Sequence, residues 1–157
     1  MRYEHTQVGY VTGGLSLALL PLIYYAHMAE DGELGMLGYT MFGAFSILAV
    51  LFSSLTVQVS DEELAFYFGP GFWTRRFVLD DIISTEIVRN LALYGWGIRY
   101  TPHGWLYNVS GLRAVELTIR GEGQIRIGTD EPEALKQAIE QSRGMASEDT
   151  RDGKSKA

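Results

Sequence analysis

Two long runs without a single Asp, Glu, Lys or Arg constrain this chain more than any other feature of its sequence. One extends from Val8 to Ala29 and the other from Leu34 to Ser60. Between them Glu30, Asp31 and Glu33 place three carboxylates in four residues. A bilayer core of about 30 Å accepts roughly 20 apolar residues at 1.5 Å each, and Val8–Met28 and Leu34–Leu55 have that length. The acids between them belong in water, because a carboxylate at mid-bilayer costs about 2.5–3.5 kcal/mol. The sequence therefore predicts a transmembrane hairpin of two helices, about 8–28 and 34–55.

Secondary features agree with that expectation. Tyr3, Tyr10, Tyr24, Tyr25 and Tyr39 fall near the helix ends, where amphipathic rings favour the headgroup level. Pro21 predicts a kink in the first helix. A cleaved signal peptide is the competing account of the first run, but only Arg2 precedes it as a basic residue and no A-x-A site follows. The hairpin loop has no Lys or Arg, so the positive-inside tendency puts both termini in the cytoplasm. The expectation is a multi-pass protein of the cytoplasmic (inner) membrane, with the lipid bilayer as its first partner.

Charge and cysteine usage narrow the function. The chain carries a formal charge of −6, of which about half lies after residue 56. Nucleic-acid binding needs concentrated positive charge, so no nucleic-acid partner is expected. Cysteine is absent, which removes disulfides and thiolate chemistry together.

After Leu55 the apolar period changes from helical to two. Thr56–Val59, Leu64–Phe68, Trp73–Leu79, Ile82–Arg89, Gly97–Thr101, Trp105–Val109, Arg113–Arg120 and Gln124–Gly128 read as short strands. Turn signals separate several of them, among them Gly69-Pro70-Gly71, Pro102-His103-Gly104 and Gly121-Glu122-Gly123. This predicts an antiparallel meander. Asp130 then reads as an N-cap, with Pro132 in the first turn and Glu133 closing a capping box. A helix over 131–143 would lay Ala134, Leu135, Ala138 and Ile139 on the sheet and stop at Gly144. The polar tail 144–157 is expected to be disordered.

The order of strands and then one helix is similar to the pleckstrin-homology-like fold. The stretches Leu79-Asp80-Asp81-Ile82, Tyr94-Gly95-Trp96-Gly97-Ile98-Arg99, Tyr107-Asn108-Val109-Ser110-Gly111, Ala114-Val115-Glu116-Leu117 and Ile127-Gly128-Thr129-Asp130-Glu131-Pro132 resemble bacterial membrane proteins with PH-like domains. The resemblance covers about residues 55–142. It implies an α+β chain: a transmembrane hairpin (1–55), a PH-like β-barrel or sandwich with a C-terminal capping helix (56–143), and the tail (144–157). It implies no catalytic residue, because that family has none established.

The residues themselves offer little chemistry. His5, His27 and His103 are not at metal-ligand spacing, and Asp80-Asp81 and Asp61-Glu62-Glu63 sit at strand breaks, where Asp favours turns. No catalytic residue, metal site or cofactor is expected. The first hairpin carries acids where phosphoinositide-binding PH domains carry bases. Arg75 and Arg76 point to opposite faces of one strand and read most simply as salt-bridged. The aromatics are more suggestive: Phe72 and Trp73 follow a tight turn, and Trp96 and Trp105 lie in an aromatic-rich segment. They either fill the core or, with Arg75 and Arg76, form an interaction surface. The expected function is a non-catalytic scaffold for protein–protein interaction or for homo-oligomer assembly at the membrane. The alternative is a sensor of the lipid surface, and a transporter or enzyme subunit is the third option.

Overall fold

The computed structural model describes residues 2–10, 14, 18, 20, 21, 23–25, 28 and 32–155, with side chains left undescribed at 32–35 and 145–155. Among the described residues the architecture is mostly β: nine strands in two sheets. The first sheet has the order β1-β2-β3-β4, from β1 (Tyr3–Val8), β2 (Ser54–Val59), β3 (Glu63–Phe68) and β4 (Trp73–Val78). The second has the order β5-β8-β9-β7-β6, from β5 (Ile82–Arg89), β6 (Gly97–Thr101), β7 (Gly104–Asn108), β8 (Arg113–Ile119) and β9 (Gly123–Gly128). Two longer helices accompany them, α1 (Gly32–Leu51) and α2 (Pro132–Ser155).

The inner faces make one core. In the first sheet the register Leu55↔Phe68, Val57↔Phe66 and Val59↔Leu64 sets apolar side chains opposite one another, and all six are buried. The second sheet contributes Val115, Leu117, Ile119, Ile125 and Ile127. Phe66 and Tyr107 join the sheets with ring centroids 4.8 Å apart. Leu135 and Ile139 of α2 complete the cluster, lying i and i+4 on one helix face.

The predicted transmembrane hairpin is overturned, and with it the multi-pass, inner-membrane placement with cytoplasmic termini. Among the described residues no helix is long and apolar enough to cross a membrane. Strand pairing takes the flanks of both predicted helices. Val8, first in the predicted 8–28 helix, ends β1, and Ser54 and Leu55, last in the predicted 34–55 helix, begin β2. The isolated described positions between 10 and 28 are helical, and the rest of that predicted helix lies outside the described residues.

The β region also departs from the meander and the PH-like arrangement expected of it. β1 joins the first sheet from before the apolar runs, pairing antiparallel with β2 from Tyr3↔Val59 to Val8↔Ser54. β9 inserts between β8 and β7 and runs parallel to β7. β5 and β6 consequently occupy opposite edges, and the connection 90–96 must travel about 19 Å across four strand spacings. Local alternation specifies each strand but not its neighbour, which is why this order was invisible in the pattern.

The C-terminal helix differs as well. It begins at Pro132, and Asp130 does not cap it. The Asp130 carboxylate instead pairs with His5 Nε2 at 2.7 Å, and Thr129 Oγ1 accepts the Glu131 N–H. The helix passes Gly144 and continues to Ser155, through the segment expected to be disordered.

Candidate functional site

The six residues singled out by the sequence do not converge. Phe72 closes an aromatic series that starts in the core: Phe68 meets Phe52 edge-on at 5.3 Å, and Phe52 meets Phe72 at 5.4 Å. Phe72 and the adjacent Trp73 are exposed at the β3–β4 turn. That turn abuts the end of α1. Gly69 adopts φ +47°, and a Cβ there would lie 2.6 Å from the Leu51 carbonyl oxygen, so only glycine permits the approach.

Trp105 lies on the other sheet. It contacts Tyr100 edge-on at 5.5 Å and stacks beside Tyr107 at 6.4 Å, while its outer part is exposed. Burial raises the Tyr107 phenol above its ordinary value. Trp96 sits in the 90–96 crossing, where its carbonyl accepts a bond from Arg99 Nε at 3.0 Å. Arg75 lies over the Phe77 ring at 5.2 Å and pairs with Glu122, while Arg76 faces Glu63 at 3.6 Å. Both guanidinium groups are therefore engaged within the chain.

Three features escaped the sequence. The first is the exposure of α1. Met36, Tyr39, Ile47 and Val50 lie on one side and Leu37, Met41, Phe45 and Leu48 on the other, and all eight are exposed. The pattern showed an apolar run but assigned it to hydrocarbon. The second is the crossing itself, which presents Leu91 and Leu93, the latter 90% exposed. A loop position gives no periodicity from which exposure could be read.

The third feature is a cleft of about 640 Å³ where β1, the end of the β5–β8 ladder and the approach to α2 meet. Its polar lining comprises Gln7, Arg89, Arg113, Thr129 and Asp130. Gln7 is fixed by its own Nε2, which donates to the Ser110 carbonyl at 3.2 Å, and Ser110 Oγ returns a bond to the Val8 carbonyl at 2.8 Å. Arg113 pairs with Glu133. Glu133 is held below the usual carboxylate range by its own backbone N–H at the helix start and by Arg113. This convergence depends on β1, which the sequence reading placed at the foot of a membrane helix.

Among the described residues no group of three or more His, Asp or Glu side chains is arranged to hold a metal ion. Compared with known proteins, the chain matches no family model and no curated protein. Function has to be argued from these surfaces, because fold alone does not assign it.

Proposed function

We propose that this protein is a non-catalytic docking module, in which the β-sandwich holds α1 as the element that engages a protein partner. The observation that supports the reading is the set of eight large apolar side chains exposed around α1. A helix that buries a face in its own domain shows an apolar stripe on one side, whereas α1 exposes such residues on both. Burying one of these side chains is worth about 1.5–3 kcal/mol, so their combined exposure is a strong drive toward cover by another molecule. The Gly69 contact fixes where the helix leaves the sandwich, so the surface is presented from a defined point.

The test is site-specific photo-crosslinking in the native cell, with a photoreactive residue at Ile47 on α1 and a control at the exposed Gln137 on α2. The docking reading expects discrete protein adducts from Ile47, with either another protein or a second copy, that are absent from Gln137 and lost when Leu48→Glu is added. Adducts with lipid alone, or equal adducts from both positions, contradict it.

A further inference from the structure

We propose that β6, an outer strand of the second sheet, is a docking edge that receives an extended segment of a protein partner as an added strand, with an acidic residue opposite Arg99 and an apolar residue on either side of it. The four sheet edges are β1, β4, β5 and β6. An open edge presents unpaired backbone N–H and C=O groups to any extended chain, so edges are ordinarily bulged, charged or covered. β5 is bulged between Ile82 and Ser84, and α2 reaches it through Arg143, which donates to the Ile83 carbonyl at 3.5 Å, and through Glu140, which accepts from Thr85 Oγ1 at 3.0 Å. β1 is met by Ser110 Oγ at the Val8 carbonyl and by Asp130 at His5. β4 carries two adjacent arginines, and Arg75 is tied to Glu122 of the β8–β9 turn. β6 is left with one charge, Arg99, and none of the other devices. Its register with β7 is unbroken from Gly97↔Asn108 to Thr101↔Gly104, and it contains no proline or lysine. Among the described residues its one hydrogen bond beyond the β6–β7 hairpin runs from Arg99 Nε to the adjacent Trp96 carbonyl.

The hydrogen-bond phase of the strand is a second, independent observation. Pro102 and His103 form a two-residue turn, and the pair that closes such a turn, Thr101↔Gly104, exchanges both of its backbone bonds. Bonded and non-bonded pairs alternate along an antiparallel ladder. Arg99↔Leu106 and Gly97↔Asn108 are then the other bonded pairs, and Ile98 and Tyr100 turn their N–H and C=O groups away from β7. The phase of β7 agrees: Tyr107 and Trp105, opposite Ile98 and Tyr100, belong to the stretch that pairs with β9 on its other side. Two N–H and two C=O groups thus point outward from β6 with the spacing of an antiparallel ladder. Tyr100 is 74% exposed, so the approach is open.

Backbone groups in that arrangement are matched by an extended polypeptide. Its residues opposite Ile98 and Tyr100 would share the face of Trp105, which is half-exposed and contacts Tyr100. Apolar side chains there would continue the cross-strand packing outward. The residue between them would lie on the other face, opposite Arg99. Residues 87–115 include no Asp or Glu and hold Arg89, Arg99 and Arg113, in a chain of net charge −6, which favours an acid at that position. A second copy is a poorer match. The two-fold register that uses both Ile98 and Tyr100 sets Arg99 of one copy against Arg99 of the other, and directly opposed like charges disfavour a ladder. The inference is independent of α1 and of the docking function proposed for it.

The probe is the peptide acetyl-Thr-Val-Glu-Val-Thr-amide, whose glutamate falls opposite Arg99 when its valines face Tyr100 and Ile98. Amide hydrogen exchange of the full chain, read by NMR, should show saturable protection of the Ile98 and Tyr100 N–H groups and none along β4 or β5. N-methylation of both valines should weaken binding about tenfold or more, whereas N-methylation of the glutamate, whose N–H points away from β6, should change it by less than about threefold. Arg99→Glu should weaken this peptide by about fivefold or more. The same variant should bind the peptide with lysine in place of glutamate, a recovery that a damaged fold would not give. Equal binding of the two N-methylated forms, exchange unaltered by the peptide, or indifference to the charge swap would each overturn the assignment. Protection of Ile98 and Tyr100 that grows with the concentration of the chain alone would give the edge to a second copy and overturn it equally.

Discussion

At the scale of single residues, the most consequential polar group is Arg126. Its side chain is 9% exposed and bonds to Glu116, and its Nη1 donates to Asn90 Oδ1 at 3.1 Å. Asn90, the first residue of the 90–96 connection, is itself 4% exposed and shields part of that side chain. Removing one member of a buried ion pair strands the other, at about 3–5 kcal/mol. Arg126→Met should therefore cost about that much in denaturant unfolding, and Glu116→Gln in the same chain should recover part of it. Tyr3 gives a second prediction. Burial, reinforced by Glu131 and Asp130, pushes its phenol from 10.0 to about 12. The folded state holds this proton more tightly than the unfolded state does. Tyr3 thus leaves stability unchanged below pH 10, and stability falls as pH rises from 10 toward about 12. Tyr3→Phe should lessen the fall over that part of an unfolding-versus-pH curve, and ultraviolet titration should show a late tyrosinate that the variant lacks, beside that of Tyr107.

Between elements, the two helices make opposite use of apolar residues. α2 buries Leu135 and Ile139 completely against the core, while Ile47 on α1 is exposed. Leu135→Ala should destabilise the chain by about 2–5 kcal/mol through the cavity it leaves. Ile47→Ser should change stability by no more than about 0.5 kcal/mol and yet weaken association. Thermal or denaturant melts of both variants give the contrast directly. The sequence announced the α2 face through the spacing of Leu135 and Ile139. It could not announce the state of α1, because an uncharged run looks the same whether lipid, protein or nothing surrounds it. The strands show a similar division. Val115, Leu117 and Ile119 alternate and are buried as the pattern implies. The parallel β7–β9 pair and the Arg89↔Arg113 opposition depend on which strand lies beside which, and no local pattern encodes that. Gln7 went unrecognised for the same reason: a short strand of mostly polar residues, Tyr3-Glu4-His5-Thr6-Gln7-Val8, carries almost no apolar alternation.

For the molecule as a whole, the pairing of β1 with β2 governs the architecture. The ladder continues one step beyond Val8↔Ser54, where the Gly9 N–H donates to the Ser53 carbonyl at 2.7 Å. Everything from residue 10 to residue 52 thus leaves and returns through adjacent strand ends. Replacing 10–52 with Asn-Gly, a turn suited to a two-residue hairpin, should yield a sandwich that folds cooperatively, with a loss of about 1–3 kcal/mol from the missing Phe52 side chain. Near-ultraviolet circular dichroism and a single unfolding transition would establish it. A chain that collapses without fixed aromatic signals would show that the excised part is needed for folding.

The closure of that doorway bears on how such a chain can change over time. A segment whose two ends are clamped at the distance of neighbouring strands can be lengthened, trimmed or exchanged without altering the register of anything behind it. The sandwich then serves as a chassis, and α1 as a head that selection could redesign for a new counterpart while the paired sheets behind it are left untouched.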